Sequence, residues 1–172
     1  MSAIKVIDYD PAWPSLFEEQ RQKIMLIIGE LVAAIHHIGS TAVEGLCAKP
    51  KIDIHAVLRN DALIPEAIER VKPHGYTFHG DPYDDGMWTF TQGHGSYGTR
   101  LDLCGPHNDT HIKRMRFRDY LRAHPEAAAA YGALKRKLMF EANGDWKLYT
   151  GGKADFVAEI VRLATVPAKT TG

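Results

Sequence analysis

Cysteine is scarce in this chain. Cys47 and Cys104 are the only two among 172 residues, and neither has a second cysteine at metal-ligand spacing. A disulfide scaffold and a cysteine-bound zinc site are thereby excluded, and free thiols in the cytoplasm are expected. Long apolar runs are missing too: nowhere do 18 apolar residues follow one another, and the opening MSAIKVIDYDPAW has no basic segment leading into an apolar core. Neither membrane spanning nor secretion is expected. Charge of one sign is not in excess, with 21 basic and 21 acidic side chains. No global field draws the chain to nucleic acid or to an anionic membrane, which leaves only a local basic patch. Repeats, low-complexity tracts, a Gly-x-Ser-x-Gly elbow and a Walker loop are all absent, so a serine hydrolase and a P-loop enzyme are not expected.

What is present reads as an ordinary globular chain. Hydrophobic residues make up 45% and charged residues 24%, and the length suffices to bury a core without staples. One domain over residues 1–165 is expected, followed by a flexible tail over 166–172. Ile4 to Ile7 suggests an edge strand. From Trp13 to Leu31 the apolar residues recur at spacings of three and four, which predicts a helix after the Asp10-Pro11 start signal. Strands are predicted at 33–38, 51–58, 76–79, 87–91 and 100–104, with a helix over 62–72. The glycines of QGHGSYGT loosely follow a nucleotide fingerprint, but no helix comes after them, so a hairpin loop is the reading. Beyond Asn108 the pattern turns helical: one helix to Ala123, one from Pro125 to Asn143-Gly144, and one from near Thr150 to Ala164. An αβ half followed by a helical half gives an α+β fold with an α/β-type mixed sheet, roofed by its C-terminal helices.

Chemistry concentrates between Ile35 and Leu58. A strand ends at Gly39-Ser40, a small-residue turn follows, and Lys49-Pro50 lead into a strand carrying Asp53 and His55. Gly39 permits close backbone approach, Ser40 and Thr41 offer hydroxyls, and a helix starting there would present amides to an anion. Asp53 and His55 lie two apart on one strand face, whereas His36 and His37 face opposite sides. With Asp102 on another strand, Asp53 and His55 form a candidate divalent-metal site: magnesium for two carboxylates, with the imidazole tilting it toward manganese, zinc or nickel. The alternative is that Asp53 only accepts hydrogen bonds from the Ser40 turn. Lys49, Arg118, Arg122, Lys135 and Lys153 are candidate contacts for phosphate. Arg114, Arg118 and Arg122 recur every fourth residue as a basic stripe, for which a solvated face is the competing explanation.

The string HIGSTAVEGL-AKPKIDI, followed by FRDYLRAHPE-A-YGALK, Tyr149 and Lys153, resembles the GrpB family, a branch of the DNA polymerase beta-like nucleotidyltransferase superfamily. The match runs from about Ile7 to Leu163. The resemblance implies a nucleotidyltransferase-like sheet in which Gly39, Ser40 and Asp53 match the superfamily pattern and Asp102 supplies its third acid. His55 stands where that pattern has its second acid, a departure from the two-magnesium arrangement. It also implies that Arg118 and Arg122 turn toward the cleft and that Tyr149 and Lys153 close it. Three functions follow as expectations. The first is metal-dependent transfer of a nucleotidyl group from a nucleoside triphosphate to a small hydroxylated acceptor, with Asp102 as base. The second is a non-catalytic module for a nucleotide, a coenzyme A-like ligand or a protein partner. The third is a metal-dependent hydrolase.

Overall fold

The structure, a computed structural model, describes residues 4–94 and 97–166. Residues 167–172 of the tail expected over 166–172, and two residues of the glycine loop, lie outside them. Helix α1 (Trp13–Ile28) is followed by strand β1 (Val32–Ile38), then β2 (Lys51–Leu58), α2 (Ile64–Val71), β3 (Thr77–Phe78), β4 (Trp88–Gln92) and β5 (Gly98–Cys104). Helices α3 (Asp109–Ala123), α4 (Pro125–Ala142), α5 (Trp146–Gly151) and α6 (Ala154–Thr165) complete the chain. The five strands form one mixed sheet in the order β1-β2-β5-β4-β3. β2 and β5 run parallel at its centre, and the other neighbours are antiparallel. Among the described residues no helix is long and apolar enough to cross a membrane.

Alternation along the strands divides the sheet into two unlike faces. Ile52, Ile54 and Ala56 of β2, with Leu101 and Leu103 of β5 and Phe90 of β4, point to one side and pack against Trp13, Ile24 and Ile28 of α1 and Ala67, Ile68 and Val71 of α2. That is the main core, and its apolar burial drives folding. The opposite face carries the polar partners of the same alternation. Register places His36, His55, Asp102 and Thr89 side by side in one row, and Ile38, Asp53, Arg100 and Thr91 in the next. Helix α3, capped by Asn108, whose side chain accepts from the His111 amide at 2.8 Å, lies over this face.

Several elements differ from the periodicity. The expected edge strand at Ile4–Ile7 contributes only a bridge from Ile7 to Ala48, in the loop before β2. The segment after Gly39 is a three-residue 3-10 turn, Ser40–Ala42, and not a helix. The expected last helix is two helices. α5 starts at Asp145, whose carboxylate accepts from the Lys147 and Leu148 amides, and Gly151-Gly152 separates it from α6.

Gly39 fixes the turn that joins β1 to the polar face. Its φ of 76° and ψ of −171° lie in a region open to glycine alone, and a Cβ there would sit 2.7 Å from Asp53 Oδ2. Gly45 also has a positive φ, 77°, but open space around it. Gly39→Ala is therefore expected to lower the unfolding free energy by about 2–3 kcal/mol, and Gly45→Ala by about 1–2 kcal/mol. Urea midpoints of the two variants check this, and equal losses would show that Asp53 does not press on the turn.

Candidate functional site

The polar face opens into a cleft of about 760 Å³ between the Gly39 turn, the ends of β2 and β5, and helices α3 to α6. Its charge is lopsided. Lys49, Lys51, Lys113, Lys135 and Lys153, with Arg100 and Arg114, line it against a single carboxylate, Asp53. Among the described residues the lysine ion pairs are Lys72–Glu69 and Lys137–Glu141, both exposed, so the five cleft lysines have no carboxylate at contact distance.

Aromatic rings carry part of this positive charge. Lys153 Nζ lies 4.2 Å from the centre of the Tyr149 ring, Lys49 Nζ 4.6 Å from Trp146 and 5.6 Å from Tyr149, and Lys135 Nζ 4.8 Å from Tyr131. The negative ring faces offset some of the cost of desolvating ammonium groups. Lys135 also donates to the Cys47 carbonyl. Burial nevertheless lowers the Lys135 pKa to about 7 and the Lys153 pKa to about 8, with neighbouring cations adding to both shifts. Asp53 shifts the other way. The residue is half-buried, its carboxylate sunk among the surrounding groups, and that burial pushes its pKa up, while Arg100 and Lys49 oppose the shift.

Asp102 and His55 stand behind the cleft, not in it. Asp102 is 0% exposed. It accepts from the Thr89 hydroxyl at 2.6 Å and from Arg100 Nε at 3.0 and 3.2 Å, with Arg114 Nη1 at 3.4 Å. Its oxygens are spent on these donors, so it is not placed to serve as an open metal ligand or as a base toward the cleft. His55 is also 0% exposed, with Nδ1 2.9 Å from His111 Nδ1 and Nε2 3.3 Å from Arg114 Nη1. Burial holds its pKa well below the usual imidazole value, and His111 is lowered to about 4, so both rings are neutral near pH 7.

The expected cluster of Asp53, His55 and Asp102 is therefore divided between two environments. Among the described residues no group of three or more His, Cys, Asp or Glu converges as a metal cage, and of these three only Asp53 faces the cleft. Two guanidinium groups approach these acids from the cleft side.

Gly39, Ser40, Thr41, Lys49, Lys135, Tyr149 and Lys153 all line the cleft. The Thr41 hydroxyl is turned inward, 2.9 Å from His37 Nε2. Arg118 and Arg122 require correction: neither lines it. Arg118 Nη1 donates to the His37 carbonyl at 3.0 Å, and Arg122 Nε donates to the Ala42 carbonyl at 2.8 Å. They brace β1 and the turn from behind, because peptide carbonyls at the end of the strand and in the turn accept hydrogen bonds that no neighbouring strand supplies. The stripe of every fourth residue on α3 thus spends Arg118 and Arg122 on backbone carbonyls, and only its first member, Arg114, reaches the cleft.

Arg100, Lys51, Lys113 and Arg114 were not singled out as ligand contacts by the sequence reading. A signal for Arg100 exists: it precedes Asp102 by two residues and so shares its strand face.

Comparison with known proteins adds a family. The model described as GrpB protein matches residues 3–163. UPF0157 protein YqkA of Bacillus subtilis strain 168 is 31% identical over 154 residues, covering 90% of this chain but 45% of that protein, so the chain spans less than half of that relative's length. The crystal structure of conserved protein GrpB from Enterococcus faecalis superposes with a TM-score of 0.85 at 29% identity, over 93% of this chain and 96% of that one. Cid1 in complex with its short product ApU is matched at a TM-score of 0.45 and 14% identity, over 77% of this chain and 39% of that one, a likeness too slight to transfer chemistry. By the match of the family model to nearly its whole length, the chain belongs to the GrpB family.

Proposed function

We propose that the cleft binds the phosphate groups of a small molecule directly, through ammonium and guanidinium side chains, without a pair of metal ions. The observation that carries this reading is the imbalance of seven cations over one carboxylate in one cleft, with no carboxylate in contact with the five lysines. Lys135 is buried and Lys49, Lys51 and Lys153 are half-buried; cations so placed without counter-charges cost stability, and a polyanion is the chemistry that relieves the cost. Arg100 and Arg114, held from behind by Asp102, offer planar forks suited to phosphate oxygens. The Ser40 hydroxyl and the Gly39 turn complete one end of the site.

A second reading keeps the transferase chemistry. Asp53 reaches the cleft beside the Gly39-Ser40 turn, and one divalent ion, magnesium or manganese, bridging Asp53 and a nucleoside triphosphate would position that phosphate for attack by a small hydroxylated acceptor. The two readings predict opposite signs for one substitution.

Calorimetric titration with pyrophosphate and with ADP, in EDTA and in magnesium, separates them. Direct binding predicts that affinity survives EDTA, that Asp53→Asn strengthens it by removing the only carboxylate, and that Arg100→Met weakens it by about tenfold or more. Affinity that requires magnesium and is abolished by Asp53→Asn would establish the second reading in its place.

pH gives an independent check. The anion binds the protonated lysines, and Lys135 and Lys153 lose their protons near 7 and 8. The second ionisation of a phosphate is largely complete by about pH 7, so the ligand gains little charge above that point. Affinity for ADP is expected to fall between pH 7 and pH 9, and the fall should be smaller in Lys135→Met. A flat profile in the wild type would show that these lysines do not meet the ligand.

A further inference from the structure

The cleft has a second, chemically different end. Ala154, Val157, Ala158 and Val161 of α6 line it, at spacings of three, four and seven that place them on one face of the helix. It adjoins the stripe that holds α6 in place, where Ile160 is buried and Phe156, Val157 and Leu163 pack with Leu121 and Tyr131, so Val157 belongs to both. The charged residues Glu159 and Arg162 occupy the outside of the helix, paired with each other. Ala154 and Ala158 are exposed, and Val157 and Val161 are half-buried. Phe117 of α3 adds a further apolar side chain to the lining. The apolar arc of α6 thus extends beyond what its packing needs, and the extension, Ala154, Ala158 and Val161, faces a cleft whose floor is cationic.

From this juxtaposition we infer that the ligand is an organic diphosphate whose remaining part is an aliphatic chain, with its head on the Lys49, Lys135, Lys153 and Arg100 cations and its chain along the α6 stripe. The inference rests on the anion-binding reading above. It makes an aliphatic chain, and not a nucleoside, the preferred second half, because a base is recognised by hydrogen bonds to its edges and the Tyr131 and Tyr149 rings of the cleft already carry lysines. The four α6 side chains carry no donor or acceptor. A volume of about 760 Å³ accommodates such a molecule. Each methylene removed from water strengthens binding by roughly fourfold, so even a chain of ten carbons that is partly buried registers clearly.

Three probes carrying two phosphates each test this by calorimetry on the whole chain: inorganic pyrophosphate, ADP and geranyl diphosphate. Geranyl diphosphate is expected to bind at least tenfold more tightly than pyrophosphate and more tightly than ADP. In Ala158→Gln, which adds a polar side chain at an exposed helical position, the advantage of geranyl diphosphate should shrink at least fivefold while the affinity for pyrophosphate stays unchanged. Circular dichroism confirms that the variant is folded, and Ala158→Ser, which barely changes the shape of the stripe, should keep most of the advantage. If pyrophosphate binds but geranyl diphosphate gains less than threefold, or if ADP binds more tightly, the inference is overturned and the anion-binding reading stands. If none of the three binds, both fall.

Discussion

The buried carboxylate of Asp102 is the contact on which the polar half of the molecule depends. It sits at the centre of the sheet, on the strand next to β2, and it collects the Thr89 hydroxyl and two arginines from different elements. Taking a carboxylate fully out of water is costly, and only a near-complete shell of donors makes it tolerable. That shell fixes the positions of Arg100 on β5 and Arg114 on α3. Both line the cleft, so the placement of its two guanidinium groups follows from one residue that does not face it.

The same economy is seen on the other side of the cleft. Arg118 and Arg122 hold the backbone of β1 and of the turn, and His37 stacks on Phe17 at 4.7 Å while its Nε2 meets Thr41. A turn that must avoid a side chain at Gly39 is thus clamped from below by two guanidinium groups and an imidazole. Lys51 opens β2 and Lys49 stands just before it, on the sheet side of the site. Lys113, Lys135, Lys153 and the α6 stripe come from the helices opposite.

Much of this was legible in the residues. The strand over 51–58 and the convergence of Gly39, Ser40 and Asp53 follow from periodicity and turn chemistry alone, as does the parting of His36 and His37 to opposite faces. The fate of Arg118 and Arg122 was not legible, because a stripe repeating every fourth residue has the same spacing whether it faces water, a ligand or a strand end. Nor was the withdrawal of Asp102 and His55. Two acids and a histidine on adjacent strands look like ligands until the side chains of Arg100, Arg114 and His111 are placed, and those arrive from other parts of the chain. The break between α5 and α6 carried a local signal, Asp145 after Asn143-Gly144 and the pair Gly151-Gly152, which helical periodicity through Thr150 obscured.

That break has a mechanical meaning. Lys153 is the residue from which α6 starts, and it also sets its ammonium on the Tyr149 ring. The apolar stripe begins at the very next residue, Ala154. Ammonium and apolar wall are therefore set by one short connection at Gly151-Gly152, and a change of backbone there would shift both ends of the cleft together.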